Sequence, residues 1–214
     1  MSSEGRYFEP LAAAFARGRL GLPRTVADAE AIDAARGADL KLHKFKRQSA
    51  LPRVRRVIGA LRGIAPSSVV DVGSGRGTFL WPMLDAFPEL RVVAIDLSDR
   101  RARDLHAVRA GGIERLSAGR MGAQRMALAA KSADVVTILE VLEHLPEPAL
   151  AVSEAIRIAR RFVVASVPSH EDENPEHIHL FDPRTLAAMF EKAGASRVSV
   201  DHVHDHAILI AGLP

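Results

Sequence analysis

Two clusters in this sequence have residue types and spacing that could do chemistry. The first is Val69-Val70-Asp71-Val72-Gly73-Ser74-Gly75-Arg76-Gly77, with Asp96 closing the next apolar run, Arg91-Val92-Val93-Ala94-Ile95. Glycines at alternate positions after a β-branched run allow a sharp turn and a close backbone approach to a ligand. A helix expected from near Thr78 points its unbonded N–H groups at the same place. Asp96, nineteen residues past Gly77, stands where a nucleotide-binding α/β fold keeps an acid for the ribose hydroxyls. The second cluster is Glu140-Val141-Leu142-Glu143-His144-Leu145-Pro146. On a short helical turn Glu140, Glu143 and His144 fall at i, i+3 and i+4, on one face. Two carboxylates and an imidazole there suit a hard-to-borderline divalent ion. Three protein ligands leave positions open, as a catalytic metal needs. A further ligand is available in Asn174-Pro175-Glu176-His177-Ile178-His179-Leu180-Phe181, part of a long loop Pro168–Asp182 that could fold over the site as a lid.

The glycine spacing discriminates between cofactors. A dinucleotide fold uses G-x-G-x-x-G to seat a pyrophosphate, whereas this chain reads G-x-G-x-G. Asp71, two residues before Gly73, would repel a pyrophosphate and suits a cationic amino group. A nucleoside carrying a cationic amino acid, S-adenosyl-L-methionine, fits better, and Gly77 argues against a nicotinamide oxidoreductase. The stretch resembles motif I of the class I methyltransferases. The strings E-V-L-E-H-L-P-E-P, S-V-P and N-P-E-H-I-H-L-F resemble a pattern frequent among bacterial members of that family. Glu-x-x-Glu-His with a later His is also similar to two groups within it. These are the ubiquinone-pathway O-methyltransferases and the small-RNA 3′-terminal ribose 2′-O-methyltransferases. The resemblance covers roughly residues 66–194.

That resemblance implies a cofactor set of Asp71, Gly73, Ser74, Gly75, Gly77, Asp96, Leu97 and Gln124. It implies Glu140, Glu143, His144 and His177 as ligands of Mg²⁺, Mn²⁺ or Zn²⁺, with His179 the alternative to His177. In the related enzymes such a metal binds the acceptor oxygen. Without a metal, Glu143 and His144 become a pocket-shaping pair, with His144 as general base. The chain departs from the family before its fourth strand. A Gly-Asp-Ala whose acid contacts the adenine amine is replaced by Met121-Gly122-Ala123-Gln124, so Gln124 or backbone groups must hold the base. The expected activity is O-methylation of a small molecule or natural product. The alternatives are RNA ribose 2′-O-methylation and non-catalytic binding of S-adenosylmethionine.

The elements that must position these residues read as α/β. Residues 1 to about 65 are expected to be helical: one helix with Tyr7, Phe8, Leu11 and Phe15 on a face, ended by Gly18 and Gly21; a second over Val26–Ala35; and a third with Leu51, Val54, Val57, Ile58 and Leu61 as its stripe, capped by Ser49 and ended by Gly63. They form a cap (1–65) in front of a core (66–214) and are expected to close over the acceptor. Strands are expected at Ser68–Val72, Arg91–Ile95, Ile113–Ser117, Asp134–Leu139 and Phe162–Val167, with a closing hairpin of Ser196–Val200 and Ala207–Ala211. Helices are expected at Thr78–Phe87 (kinked at Pro82), Asp99–Ala110, Pro148–Arg160 and Pro183–Ala193, the last with Asp182 as N-cap. Such alternation means a parallel sheet with helices on both faces. By resemblance it is the Rossmann-like seven-stranded methyltransferase sheet, its last strand antiparallel.

Composition sets outer bounds. The 214 residues are 48% hydrophobic and 26% charged, an ordinary globular mixture. There is no cysteine, which excludes disulfides and thiolate metal sites. No apolar signal core and no membrane-length apolar run is present, so a cytoplasmic protein without membrane contact is expected. Net charge is +3, with Lys41, Lys44, Lys46, Arg47, Arg53, Arg55, Arg56 and Arg62 partly clustered. That cluster reads as a solvated helix face in preference to a phosphate-binding patch. It favours a small-molecule acceptor over RNA as partner. His202, His204 and His206 alternate, sharing one face if extended.

Overall fold

The computed structural model describes residues 7–47, 51–170 and 174–214. The chain opens with α1 (Glu9–Leu20), α2 (Asp28–Gly37), a 3-10 turn (His43–Phe45) and α3 (Pro52–Ile64). Then come β1 (Ser68–Val72), α4 (Leu80–Ala86), β2 (Arg91–Asp96), α5 (Asp99–Ala110), β3 (Leu116–Arg120) and β4 (Ala133–Leu139). A second 3-10 turn (Leu142–His144) precedes α6 (Pro148–Ile158), β5 (Ala159–Pro168), α7 (Pro183–Lys192), β6 (Arg197–Val203) and β7 (His206–Gly212). The strands form one seven-stranded sheet in the order β3-β2-β1-β4-β5-β7-β6. Within it β7 alone runs antiparallel, against β5 and β6. This is the sheet expected from the sequence. Its order reverses between β1 and β4, and open α/β sheets bind ligands in the crevice at that switch point.

Successive strand residues face opposite sides and build two cores. Val69 and Val135 join α3, α4 and α5 on one face, while Val70, Val72, Val136 and Ile138 join α6 and α7 on the other. Both faces of β4 are therefore buried, which is why its sequence is a continuous apolar run.

The N-terminal helices do not all stand over the crevice. α1 lies against α5 at backbone contact: a Cβ on Gly18 would sit 2.0 Å from the Ala107 carbonyl oxygen, and one on Gly111 would sit 1.8 Å from that of Ala14. Leu11, Phe15 and Ile32 of α1 and α2 thus belong to the first core. Among the three, α3 is the helix that reaches the crevice, through Arg53, Val54 and Val57.

Several element boundaries differ from expectation. β3 starts at Leu116, not Ile113, because the Gly111-Gly112 turn is still closing there and Leu116 pairs with Val92. α4 starts at Leu80, not Thr78, so Pro82 sits in its first turn, where no intrahelical N–H partner is missing, and it needs no kink. α2 is shifted two residues later, with Ala27 as N-cap. α6 stops at Ile158 because β5 takes over at Ala159. The Asp182 cap forms as expected, accepting from the N–H groups of Arg184 (3.0 Å) and Thr185 (3.1 Å). Ser49, the expected cap of α3, lies outside the described residues; Pro52 opens that helix after Leu51.

Candidate active site

A cleft of about 480 Å³ opens at the carboxyl ends of β1, β2, β4 and β5. Asp71, Gly73, Ser74, Gly75, Arg76, Asp96, Leu97, Met121–Gln124, Glu140, His144 and Ser166 all line it, whereas Gly77 of the expected cofactor set does not. Residues 50 or more positions apart in sequence meet there because parallel strands end on one edge.

Asp71 is buried at the base of the cleft. Its Oδ1 accepts from Thr137 Oγ1 at 2.8 Å, while Oδ2 has no hydrogen-bond partner among the described residues. Burial pushes the Asp71 pKa up to about 6, with the nearby charge of Asp96 adding to the rise and hydrogen bonds opposing it. A buried carboxylate oxygen without a donor costs free energy until something satisfies it.

The three glycines have three different reasons to be glycine. A Cβ on Gly73 would lie 2.5 Å from Val141 Cγ2, and one on Gly77 would lie 2.0 Å from the Trp81 indole nitrogen. Those two positions are closed by the protein's own packing. At Gly75 (φ +58°) a Cβ would meet only the Gly73 carbonyl oxygen at 3.7 Å, so this residue is the one that keeps space open. The loop is pinned underneath by Gly73 and Ser74 N–H groups donating to the Ile95 carbonyl.

Asp96 is held by three donors: Ser98 N–H to Oδ1 at 2.8 Å, and Gly75 N–H (2.9 Å) and Arg101 Nη1 (3.3 Å) to Oδ2. Across the cleft, Gln124 donates from Nε2 to the Glu147 carbonyl at 3.2 Å, and Leu97 is exposed at the rim.

The second cluster divides in two. Glu143, His144 and His177 bring one ligand atom each within 4.8 Å of one another, with the His144 and His177 rings 4.7 Å apart. His144 Nδ1 lies 2.9 Å from the Glu176 carbonyl oxygen, and the N–H of Ile178 donates to the Glu143 carbonyl at 2.9 Å. These contacts fold the 174–179 segment back onto the turn after β4. Glu140 is not part of that group, contrary to expectation. Its backbone is left-handed (φ +55°), and the helical turn starts only at Leu142, so the i, i+3, i+4 face does not exist. Nor does His179 join: its Nε2 lies 2.9 Å from the Leu145 carbonyl oxygen.

Glu140 instead meets partners that spacing alone did not suggest. Ser166 Oγ donates to Oε1 at 2.6 Å, His206 Nε2 lies 3.0 Å from Oε2, and Arg53 Nε lies 3.8 Å from it. Burial would raise the Glu140 pKa, but His206, Ser166 and Arg53 together hold it below the usual carboxylate range. A non-glycine residue with positive φ is strained, and it persists only where the surroundings over-determine it. Here β5, β7 and α3 each supply a partner. The three alternating histidines do not share a strand face, because the β6–β7 turn separates them: His202 is in β6, His204 is in the turn at φ +51°, and His206 opens β7. The signal available in the sequence for His206 was its place at the head of an apolar strand.

Residues 42–200 match the family model described as a methyltransferase domain. A ubiquinone biosynthesis O-methyltransferase of Cupriavidus pinatubonensis is 30% identical over 106 residues, 48% of this chain and 41% of that protein. The chain thus spans about two fifths of the length of that curated relative. A SAM-dependent methyltransferase from Aquifex aeolicus shares the fold at TM-score 0.61 and 17% identity, over 76% of this chain and 97% of that one. The magnesium protoporphyrin IX methyltransferase of Synechocystis, solved with bound SAM, does so at TM-score 0.58 and 19% identity, over 76% and 78%.

Proposed function

The chain belongs to the methyltransferase-domain family, and from that premise we propose that it transfers a methyl group from S-adenosyl-L-methionine to an oxygen of a small-molecule acceptor. The observation that carries the cofactor reading is Asp71 Oδ2, a buried acceptor without a donor in the wall of the cleft. The α-ammonium of the cofactor is the donor it lacks. Gly75 gives the cofactor room to approach the loop, and Asp96 takes the ribose. A carboxylate offers about four lone-pair sites, and three contacts already use Asp96. Both ribose hydroxyls are accommodated when the longest of these, from Arg101, gives way. Met121 to Gln124 and Leu97 flank the adenine.

When bound, S-adenosylmethionine supplies a methyl carbon made electrophilic by its sulfonium. The chain's own work is to orient the acceptor and take its proton. Glu140, held by Ser166, His206 and Arg53, orients the acceptor by accepting a hydrogen bond from it. The α3 residues Arg53, Val54 and Val57 form the facing wall. His144 Nδ1 is committed as donor to the Glu176 carbonyl, so without a metal Nε2 is the basic nitrogen for a hydroxyl proton, whereas a bound ion would take that nitrogen as a ligand. Glu143, His144 and His177 are also a donor set of one carboxylate and two imidazoles, which suits Mn²⁺ or Zn²⁺ better than Mg²⁺. A divalent ion held by these three would supply Lewis acidity toward an acceptor hydroxyl. The oxygen preference is supported by the curated relative, a ubiquinone biosynthesis O-methyltransferase.

The test is incubation with methyl-labelled S-adenosylmethionine and a panel of phenols, catechols, alcohols and amines, with and without Mn²⁺ or Zn²⁺. The expected products are methyl ethers. Transfer confined to nitrogen or carbon acceptors would refute the oxygen assignment and leave the cofactor assignment standing.

A further inference from the structure

One cleft gathers cations from several separate elements. Beyond the glycine loop, between α1, the 39–44 segment and the start of α5, lies a second cleft of about 650 Å³. Seven lysines and arginines line it against two aspartates, and Asp96 and Asp99, which pair with two of the seven, bring the surplus to three, as large as the net charge of the whole chain. Three of these cations have carboxylate partners: Lys44 with Asp104, Arg103 with Asp99, and Arg101 with Asp96. The other four, Arg19, Lys41, Arg76 and Arg100, have no ion-pair partner among the described residues. They come from separate elements, so helix spacing did not gather them. Arg100 and Arg101 also lie in the first turn of α5, where a cation opposes the helix dipole, so their placement does not serve that helix. The surplus is close-packed: burial lowers the Lys44 pKa, and the charges of Arg100 and Arg19 add to the lowering.

Like charges held together without counter-charges destabilise a fold unless an anion joins them. Five of the seven cations are arginines, whose planar forks match phosphate oxygens two at a time. The cleft adjoins the candidate active site, since Gly75, Arg76 and Arg101 line both. We propose that this cleft binds an oligophosphate group, the compact polyanionic end of a ligand whose other end reaches the cofactor cleft. The second half of that statement rests on the methyl-transfer reading; the anion site does not.

The experiment is calorimetric titration of the full chain with sodium tripolyphosphate, at low and physiological salt. S-adenosylhomocysteine and a short single-stranded RNA are titrated in parallel. The expected result is one tripolyphosphate per chain, bound more weakly as salt rises. The Arg19→Ala/Arg100→Ala double variant should bind it at least about tenfold more weakly, with S-adenosylhomocysteine affinity unchanged. Lys41→Ala should move in the same direction. Absence of tripolyphosphate binding while S-adenosylhomocysteine binds would overturn the proposal. So would equal tripolyphosphate affinity in the double variant, or RNA binding that tripolyphosphate does not displace. Loss of S-adenosylhomocysteine binding in the unaltered chain would instead count against the methyl-transfer reading.

Discussion

Replacing Asp71 with asparagine should make the ligand-free protein more stable and remove its cofactor affinity. The side chain is buried, and its pKa is raised from the ordinary 3.8 to about 6. Folding therefore favours the protonated form. That benefit is complete below pH 3.8 and is lost as pH rises through about 6. At neutral pH the rise from 3.8 to about 6 corresponds to about 3 kcal/mol of lost stability at 1.36 kcal/mol per pH unit. Asparagine keeps the shape and removes the charge, although its amide must find an acceptor, so the expected gain is about 1–3 kcal/mol. For a chain of this length that is a rise in Tm of roughly 2–12 °C. The assay is thermal unfolding of both proteins without ligand between about pH 4 and pH 8. The gap should be widest at neutral pH and close toward the acid end, where the native carboxyl is already neutral. In the same preparations S-adenosylhomocysteine should bind Asp71→Asn at least about a hundredfold more weakly, since a buried charge-assisted contact of about 3 kcal/mol is lost. A variant destabilised at neutral pH, or a stability gap independent of pH, would refute the reasoning about burial. Retained affinity would refute the ammonium contact.

Other expectations follow from single contacts. Gly77→Ala places a methyl group 2.0 Å from the Trp81 indole nitrogen at φ +84°, so unfolding by urea should show a loss of roughly 3 kcal/mol or more. The metal-candidate cluster predicts a split among variants: Mn²⁺ or Zn²⁺ titrations should lose their signal in Glu143→Gln and His177→Ala but keep it in Glu140→Gln and His179→Ala. The reverse pattern would return Glu140 to the ligand set. Asp182→Ala removes the cap of α7 and should lower stability by about 1 kcal/mol, read as a drop in Tm of roughly 2–4 °C.

How much of this was legible in the sequence depends on whether the signal was local. The strands were legible as continuous apolar runs, the seven-stranded sheet was expected by resemblance, and the glycine loop carries its signal within nine residues. Asp71 and Asp96 reach one cleft because parallel strands end on one edge, which topology alone guarantees. The acceptor side was less legible. One left-handed residue at Glu140 broke the helical register on which the Glu140-Glu143-His144 face depended, and no residue type at that position announces it. Its partners Arg53, Ser166 and His206 lie 26 to 87 positions away, so they became visible only once the strands were paired. The basic residues divide in space in a way the sequence does not show. Lys41 and Lys44 face a shared cleft with Arg19, Arg76 and Arg100, whereas Arg47 pairs with Asp85 and Arg56 with Asp201 on the outer surface. Neighbours in sequence went to different places, and the charges that converge came from segments read separately. The N-terminal helices were legible as helices but not in their docking, because two glycines in separate helices, Gly18 and Gly111, decide where α1 lies.

The central claim is that this cleft holds S-adenosylmethionine through Asp71 and Asp96. Isothermal titration of the unaltered chain with S-adenosylmethionine at neutral pH, with NAD as control, tests it most directly. One molecule should bind per chain with micromolar affinity, with no heat from NAD. Absence of adenosyl-ligand binding, or tighter binding of NAD, would contradict it.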